Sequence, residues 1–309
     1  MQRYWCLLIL LAAFALPAIS ATDNSPFVGR WDFNMPEGHG AAWLGVTQKD
    51  GKLDIWFQPT GGNVFKVDNY KAKGKKLELY IYKKTSDHPA LTWKLEANGD
   101  QLTGEQYRAR VVMPVTGLRS PELKRSEPTG WGQALPLFNG KNLDGWEPIG
   151  ARANNHWLVQ DGLLVNEERG DNLRSSQIFH DFKLHFEVNC PEGGNSGFYL
   201  RGRYEVQIEY EPLSNNPPER RIGSIYGRIA PSADLPRTPG QWDVFDVTLV
   251  GRTVTVVRNG VTTIDHKEIE GITGGALDAN EGQAGPFYIQ GDHTGGIKFR
   301  NITVAQSMN

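Results

Sequence analysis

Cysteine is almost absent: the 309-residue chain holds two, Cys6 and Cys190. Cys6 precedes an apolar run, residues 7–18, with Arg3 ahead of it and the small-residue signal Ala18-Ile19-Ser20 behind it. That pattern predicts a signal peptide over residues 1–20, removed on export to the periplasm or beyond. Cys190 is then left alone, which excludes an intramolecular disulfide. Stability must come from core burial, for which the length is ample. No second long apolar run exists, and the first is too short for an anchor, so no membrane span is expected. Neither sign of charge dominates. The 33 Lys and Arg against 35 Asp and Glu leave a net charge of −2, and without a basic cluster nucleic acid is not an expected partner. Helical periodicity of useful length is missing too, as are H-E-x-x-H and C-x-x-C spacings.

What remains is short alternating segments between turns, the pattern of an all-β protein. Residues 25–113 read as a small antiparallel β domain. Its strands fall near 42–47, 52–57, 64–70, 76–82, 91–96 and 101–106, separated by turns such as Thr60-Gly61-Gly62 and Asn98-Gly99. The Gly29-Arg30-Trp31 opening weakly resembles lipocalin-like barrels. Trp31, Trp43, Trp56 and Trp93 suit a core better than a sugar-stacking surface. Residues 114–134, rich in Pro, Arg, Lys, Glu and Ser, lose periodicity and read as a linker. Residues 135–309 resume short strands, as expected of a β-sandwich. In one of them Phe182, Leu184, Phe186, Val188 and Cys190 share a face, which makes Cys190 a core thiol rather than a nucleophile.

The most informative stretch is residues 195–210, N-S-G-F-Y-L-R-G-R-Y-E-V-Q-I-E-Y. It predicts two strands joined at Arg201-Gly202-Arg203. Period-2 alternation puts Tyr204, Val206, Ile208 and Tyr210 on one face and Glu205, Gln207 and Glu209 on the other. The first set is fit for a core. The second, beside Asn195, Ser196 and Arg201, is fit to hold a hydroxyl-rich ligand; an ordinary solvated face is the plainer alternative.

Several phrases of the second half, taken in order, resemble the 3-keto-disaccharide hydrolase domain family, a group of secreted proteins with a concanavalin A-like jelly roll. They are L-F-N-G-K-N-L-D-G-W at 137–146, W-L-V-Q-D-G-L-L at 157–164, F-H-D-F-K-L-H-F-E-V at 179–188, N-S-G-F-Y-L-R at 195–201, Y-E-V-Q-I at 204–208, G-S-I-Y-G at 223–227, Q-W-D-V-F-D-V at 241–247 and F-R-N-I at 299–302. The chain departs from the family pattern at Asp243, where the family has Asn, and at Glu209, where it often has Asp. The resemblance implies a jelly-roll sandwich and cleavage of sugars already oxidised at C3, supplied by a partner oxidoreductase. The ketone acidifies C2–H, a base removes that proton, the C1 substituent leaves, and water adds to the enone.

Such chemistry needs a base, an electrophile for the enolate oxygen and donors for the hydroxyls. Glu205 is the expected base, with Glu209 or His293 as alternatives. Arg201 or a divalent ion could hold the enolate, since two carboxylates and an imidazole suit several metals. Asn195, Ser196, Gln207, Tyr226 and Gln290 are the expected substrate contacts. A direct glycosidase remains open, because Glu205-x-Gln207-x-Glu209 echoes the E-x-D-x-E strand of jelly-roll glucanases. Against it, a flat strand sets those two glutamates ~13 Å apart, where a retaining pair needs ~5.5 Å. A non-catalytic carbohydrate-binding module with the same face is the third possibility.

Overall fold

The computed structural model describes residues 25–36, 40–82, 90–150, 154–213, 216–233 and 235–308. The expected signal peptide, with Cys6, lies outside them. The described chain is all-β, and no described helix is long and apolar enough to cross a membrane.

Nine strands form the first sheet: β1 (Gly29–Asn34), β2 (Ala41–Lys49), β3 (Lys52–Gln58), β4 (Phe65–Lys66), β5 (Tyr70–Lys73), β6 (Lys76–Tyr82), β7 (Leu91–Asn98), β8 (Gln101–Arg108) and β9 (Val111–Arg119). Their order is β4-β3-β2-β1-β9-β8-β7-β6-β5, an antiparallel meander closed back on itself at β1–β9. The expected strand over 64–70 is split into β4 and β5, and β9 has no counterpart among the strands expected from the sequence. It runs through Pro114, where the sequence pattern suggested a linker. Pro114 pairs with Glu105 of β8, while β1 reaches β9 only from Gly117 to Arg119. The proline therefore lies where β9 has one neighbour, and its missing N–H costs no ladder bond on the open side. Trp93 anchors the core, with Phe33 and Phe57 edge-on at 4.9 and 5.0 Å. Trp31, Trp43 and Trp93 are buried as expected, but Trp56 is 42% exposed.

The remaining strands are β10 (Gly130–Trp131), β11 (Leu135–Pro136), β12 (Trp146–Ile149), β13 (Trp157–Gln160), β14 (Leu163–Asn166), β15 (Asn172–Phe179), β16 (Phe182–Asn189), β17 (Asn195–Leu200), β18 (Tyr204–Glu209), β19 (Trp242–Val250), β20 (Thr253–Arg258), β21 (Val261–Glu268), β22 (Gly285–Ile289) and β23 (Ile297–Met308). They make a sandwich. One sheet runs β13-β14-β23-β16-β19-β20-β21, with β10 and β11 on β23; the other runs β12-β15-β22-β17-β18. Phe186 of β16 stacks on Phe198 of β17 at 4.4 Å and on Phe245 of β19 at 4.9 Å, joining the two sheets. Cys190 is fully buried beside this core, and burial pushes its thiol up to about 12. It is therefore a packing group.

The segment between β21 and β22 lies along the first sheet. Trp43 crowds Gly271 so closely that a β-carbon there would fall 2.3 Å from its indole nitrogen. The Arg228 guanidinium lies 4.2 Å over the same ring and donates to the Ile272 carbonyl at 2.7 Å. Ala279 N–H donates to Asn34 at 2.7 Å. Behind this seam, Asp32 of β1 faces Glu281, which accepts from Tyr204 and Arg252. Burial, reinforced by the Glu281 charge, raises the Asp32 carboxyl from 3.8 to about 8. Its proton is held in the folded state and lost on unfolding, so this contribution to stability is full below about pH 3.8 and is lost as pH rises through about 8. Asp32→Asn, which keeps the neutral shape, is expected to gain thermal stability over the wild type as pH rises from 5 to 9. Calorimetric melting points that fall in parallel across that range would contradict this.

Candidate active site

The hairpin β17–β18 presents its two faces as alternation requires. Phe198, Leu200, Tyr204, Val206 and Ile208 point into the sandwich core. On the opposite face, Asn195, Gly197 and Tyr199 stand across from Glu209, Gln207 and Glu205. The turn is made by Arg201 and Gly202 in the left-handed region, at φ 54° and 71°. Strand β22 adds Tyr288 beside Tyr199, their rings stacked at 4.0 Å. A cavity of about 320 Å³ opens on this face, lined in part by Glu205, Gln207, Tyr226, Gln290, Asp292 and His293.

Glu205 is seated rather than displayed. It is 3% exposed, and its carboxyl folds over Gly197, where a β-carbon would fall 2.1 Å from Oε1. Glycine leaves that space, and a larger residue would displace the carboxyl. Burial raises the Glu205 carboxyl to about 8, and the Asp292 charge adds to the effect against the Tyr199 hydrogen bond. The Tyr199 hydroxyl lies 2.9 Å from Glu205 Oε2 and 2.8 Å from the Gly274 carbonyl oxygen. One hydroxyl proton cannot serve both. With Glu205 neutral, the carboxyl donates to the Tyr199 oxygen and Tyr199 donates to Gly274. With Glu205 ionised, the tyrosine proton turns to the carboxylate and the Gly274 carbonyl loses its donor.

Across the cleft, His293 Nδ1 lies 2.8 Å from Asp292 Oδ1. Burial opposes ionisation of Asp292, but the hydrogen bond and charge of His293 hold its carboxyl below the ordinary range. The cleft thus contains one carboxyl held neutral and one held ionised. Tyr226 keeps its proton, burial and then the Glu205 charge raising it, so it is a donor. Gln290 Oε1 is buried and has no hydrogen-bond partner among the described residues.

Six of the residues expected from sequence line this cleft: Asn195, Glu205, Gln207, Tyr226, Gln290 and His293. Three do not. Glu209 shares the face of Glu205 but is covered by the segment that follows. It pairs with Arg237 at 2.7 Å and accepts from the backbone N–H groups of Glu211 and Ile222, so it is a clasp at the strand end. Arg201 is buried under the hairpin turn, donating to the Gly251 carbonyl at 2.6 Å; it cannot reach a ligand in the cleft. The Ser196 hydroxyl donates to the Gln290 carbonyl and ties β17 to β22. Asp243 likewise faces away, accepting from Tyr210 and Arg258; the buried guanidinium is what its added charge balances.

Sequence reasoning missed Tyr199, Tyr288, Asn172 and Asp292. Tyr199 was legible, since the register Tyr199↔Glu205 follows from the three-residue turn. Missed too were Thr60, Gly61 and Gly62 of the first sheet and Gly274 and Gly275, which form the far wall. Nothing local in those glycines marks them as a wall. Among the described residues, no group of three or more His, Cys, Asp or Glu side chains is placed to hold a metal ion.

With this geometry in view, comparisons with known proteins are decisive for the family. The model of the 3-keto-alpha-glucoside-1,2-lyase-like domain matches residues 133–305. The chain belongs to that family. Over 56% of its length it is 22% identical to a Bacteroides thetaiotaomicron protein named 3-keto-disaccharide hydrolase, 73% of which is covered. A Parabacteroides distasonis protein assigned to the glycosyl hydrolases is 31% identical; the match covers 61% of this chain and 95% of that one, with a TM-score of 0.47. A second from the same organism is 19% identical, covering 57% and 94%, with a TM-score of 0.46. Family membership places the protein among carbohydrate-active, glycosyl hydrolase-like enzymes.

Because the Tyr199 hydrogen bond favours the Glu205 carboxylate, Tyr199→Phe is expected to raise the Glu205 carboxyl further. The ascending limb of the pH–rate profile should move to higher pH. An unmoved limb in a folded variant would show that Tyr199 does not govern this proton.

Proposed function

We propose that the protein is exported and cleaves glycosides already oxidised at C3, by proton removal at C2, loss of the C1 substituent and hydration of the enone. The observation that carries this reading is Glu205: a carboxyl of raised pKa, about 8, at the floor of a polar cleft. An ordinary carboxylate is a poor match for a carbon acid. One whose proton affinity lies near the working pH is a stronger base while still ionised often enough to act. Glu205 takes the C2 proton and, once neutral, donates to Tyr199, which restores the bond from Tyr199 to Gly274. Tyr226 and the Gln207 amide are the donors at hand for the enolate oxygen, in place of the displaced Arg201. Such contacts are worth roughly 3–4 kcal/mol of barrier each. His293, oriented by Asp292, is placed to serve the leaving oxygen or the incoming water. A separate oxidoreductase would have to supply the ketone.

A direct glycosidase is the second reading, supported by the neutral Glu205 and the ionised Asp292 in one cleft, an acid and a carboxylate as that chemistry requires. With Glu209 withdrawn, the glucanase-like pair within β18 no longer supports it. The two differ at C2. Turnover of a 3-keto-glucoside in deuterium oxide is expected to leave deuterium at C2, with little or no turnover of the plain glucoside. Glu205→Gln should lose about 10²–10⁴-fold in rate while retaining binding. The wild-type rate should rise with pH through about 8, because the base acts ionised. Product without label, or equal rates on both sugars, would reject elimination in favour of direct hydrolysis. Sugar binding without turnover of either would favour a binding module.

A further inference from the structure

The loop between β3 and β4 belongs to the first sheet, yet it walls the cleft. Gly275 N–H donates to the Thr60 carbonyl at 2.9 Å. Gly274 lies so close to Gly62 that a β-carbon on it would fall 2.0 Å from the Gly62 carbonyl oxygen. On its other side Gly275 meets the Tyr199 hydroxyl, 2.6 Å from where a β-carbon would stand. The loop is itself braced: the buried Gln58 amide donates to the Pro59 and Gly62 carbonyls at 3.0 and 2.9 Å. Asn63 reaches Tyr226 and Gly227. A loop this tightly built between two glycines is a fixed rim.

Thr60 and Gly61 line a second cavity as well, of about 610 Å³, in the mouth of the first sheet. Its walls are Met35, Phe57, Tyr82, Leu91, Trp93 and Met113. Among the described residues the polar side chains there are four: Thr60 on the shared rim, Tyr82 with its single hydroxyl, Arg108, and Gln106, whose Oε1 already accepts from Trp93 at 3.0 Å. A sugar ring presents a hydroxyl at nearly every carbon and would find too few partners. A planar apolar group fits, gaining from the aromatic edges and from adaptable methionines.

We propose that this second cavity is the leaving-group subsite: the C1 substituent crosses the rim at Thr60 and Gly61, and its apolar, aromatic part occupies the mouth of the first sheet. This rests on the glycoside-cleaving reading above and names its substrate class, aryl glycosides rather than disaccharides. It also gives the first sheet a role, because the sandwich alone would leave that side of the cleft open. Loss of an aryloxide fits elimination, since it departs more easily than an alkoxide or a sugar.

The test compares nitrophenyl and methyl 3-keto-glucosides in the full-length mature protein. Wild type should prefer the aryl substrate in kcat/KM by more than its leaving-group advantage, which a hydroxide-catalysed reference measures. Filling the cavity with Met113→Trp, or narrowing its mouth with Val111→Trp, should cut that preference about ten-fold, mainly through KM, in variants whose circular dichroism and melting point match wild type. An unchanged preference in both variants, or equal losses on both substrates, would overturn the proposal. Should neither oxidised sugar turn over, the cleavage reading fails, and calorimetric binding decides the subsite separately. Plain nitrophenyl glucoside should then bind wild type at least ten-fold tighter than it binds Met113→Trp, and equal affinities would overturn the subsite.

Discussion

The structure turns on one costly placement: a carboxyl buried over a glycine. Glu205 is shut away from water, and among the described residues no cation offsets the cost of ionising it there. Burying an unpaired carboxylate is far more expensive than burying a neutral acid, so the carboxyl keeps its proton. Most features of the cleft follow. Glycine at position 197 leaves the carboxyl its seat, since a β-carbon there would fall 2.1 Å from Oε1 and displace it. Tyr199 must be near enough to exchange a hydrogen bond as the proton comes and goes. Gly274 must offer its carbonyl to the same hydroxyl. Two stacked tyrosines, Tyr199 and Tyr288, exclude water on one side.

That local demand explains the larger architecture. The segment carrying Gly274 and Gly275 has no sheet partner of its own and is held by the first sheet through Thr60, Gly62, Trp43 and Asn34. The buried seam of Asp32, Glu281, Arg252 and Tyr204 stiffens the joint. Tyr204 is the link between seam and site, because it is the strand residue preceding Glu205 and points to the opposite face. A shift at the joint would reach the base through one residue of β18.

Period-2 alternation made much of this legible in the sequence. It predicts the core face of β16, the two faces of the hairpin and the burial of Cys190. It could not tell where along β18 the open face ends. Glu205 and Glu209 are equivalent by pattern, and only the return of Arg237 over the strand end separates them. Arg201 departs from its expected place in the cleft because it sits in the turn at positive φ with its side chain beneath the hairpin. Pro114 looked like a linker signal because a proline's tolerance in a strand depends on which neighbour is missing, a tertiary fact. The wall of Thr60, Gly61 and Gly62 was invisible for the same reason: glycines needed for close approach look like glycines needed for a turn.

The central claim is that Glu205 is a neutral carboxyl at pH 7 and titrates near 8. Infrared difference spectra between wild type and Glu205→Gln, collected across pH, test it directly. The account predicts a protonated-carboxyl band present in wild type alone, lost with a midpoint at about pH 8. A band already absent at pH 6, as for an ordinary solvated glutamate, would contradict it.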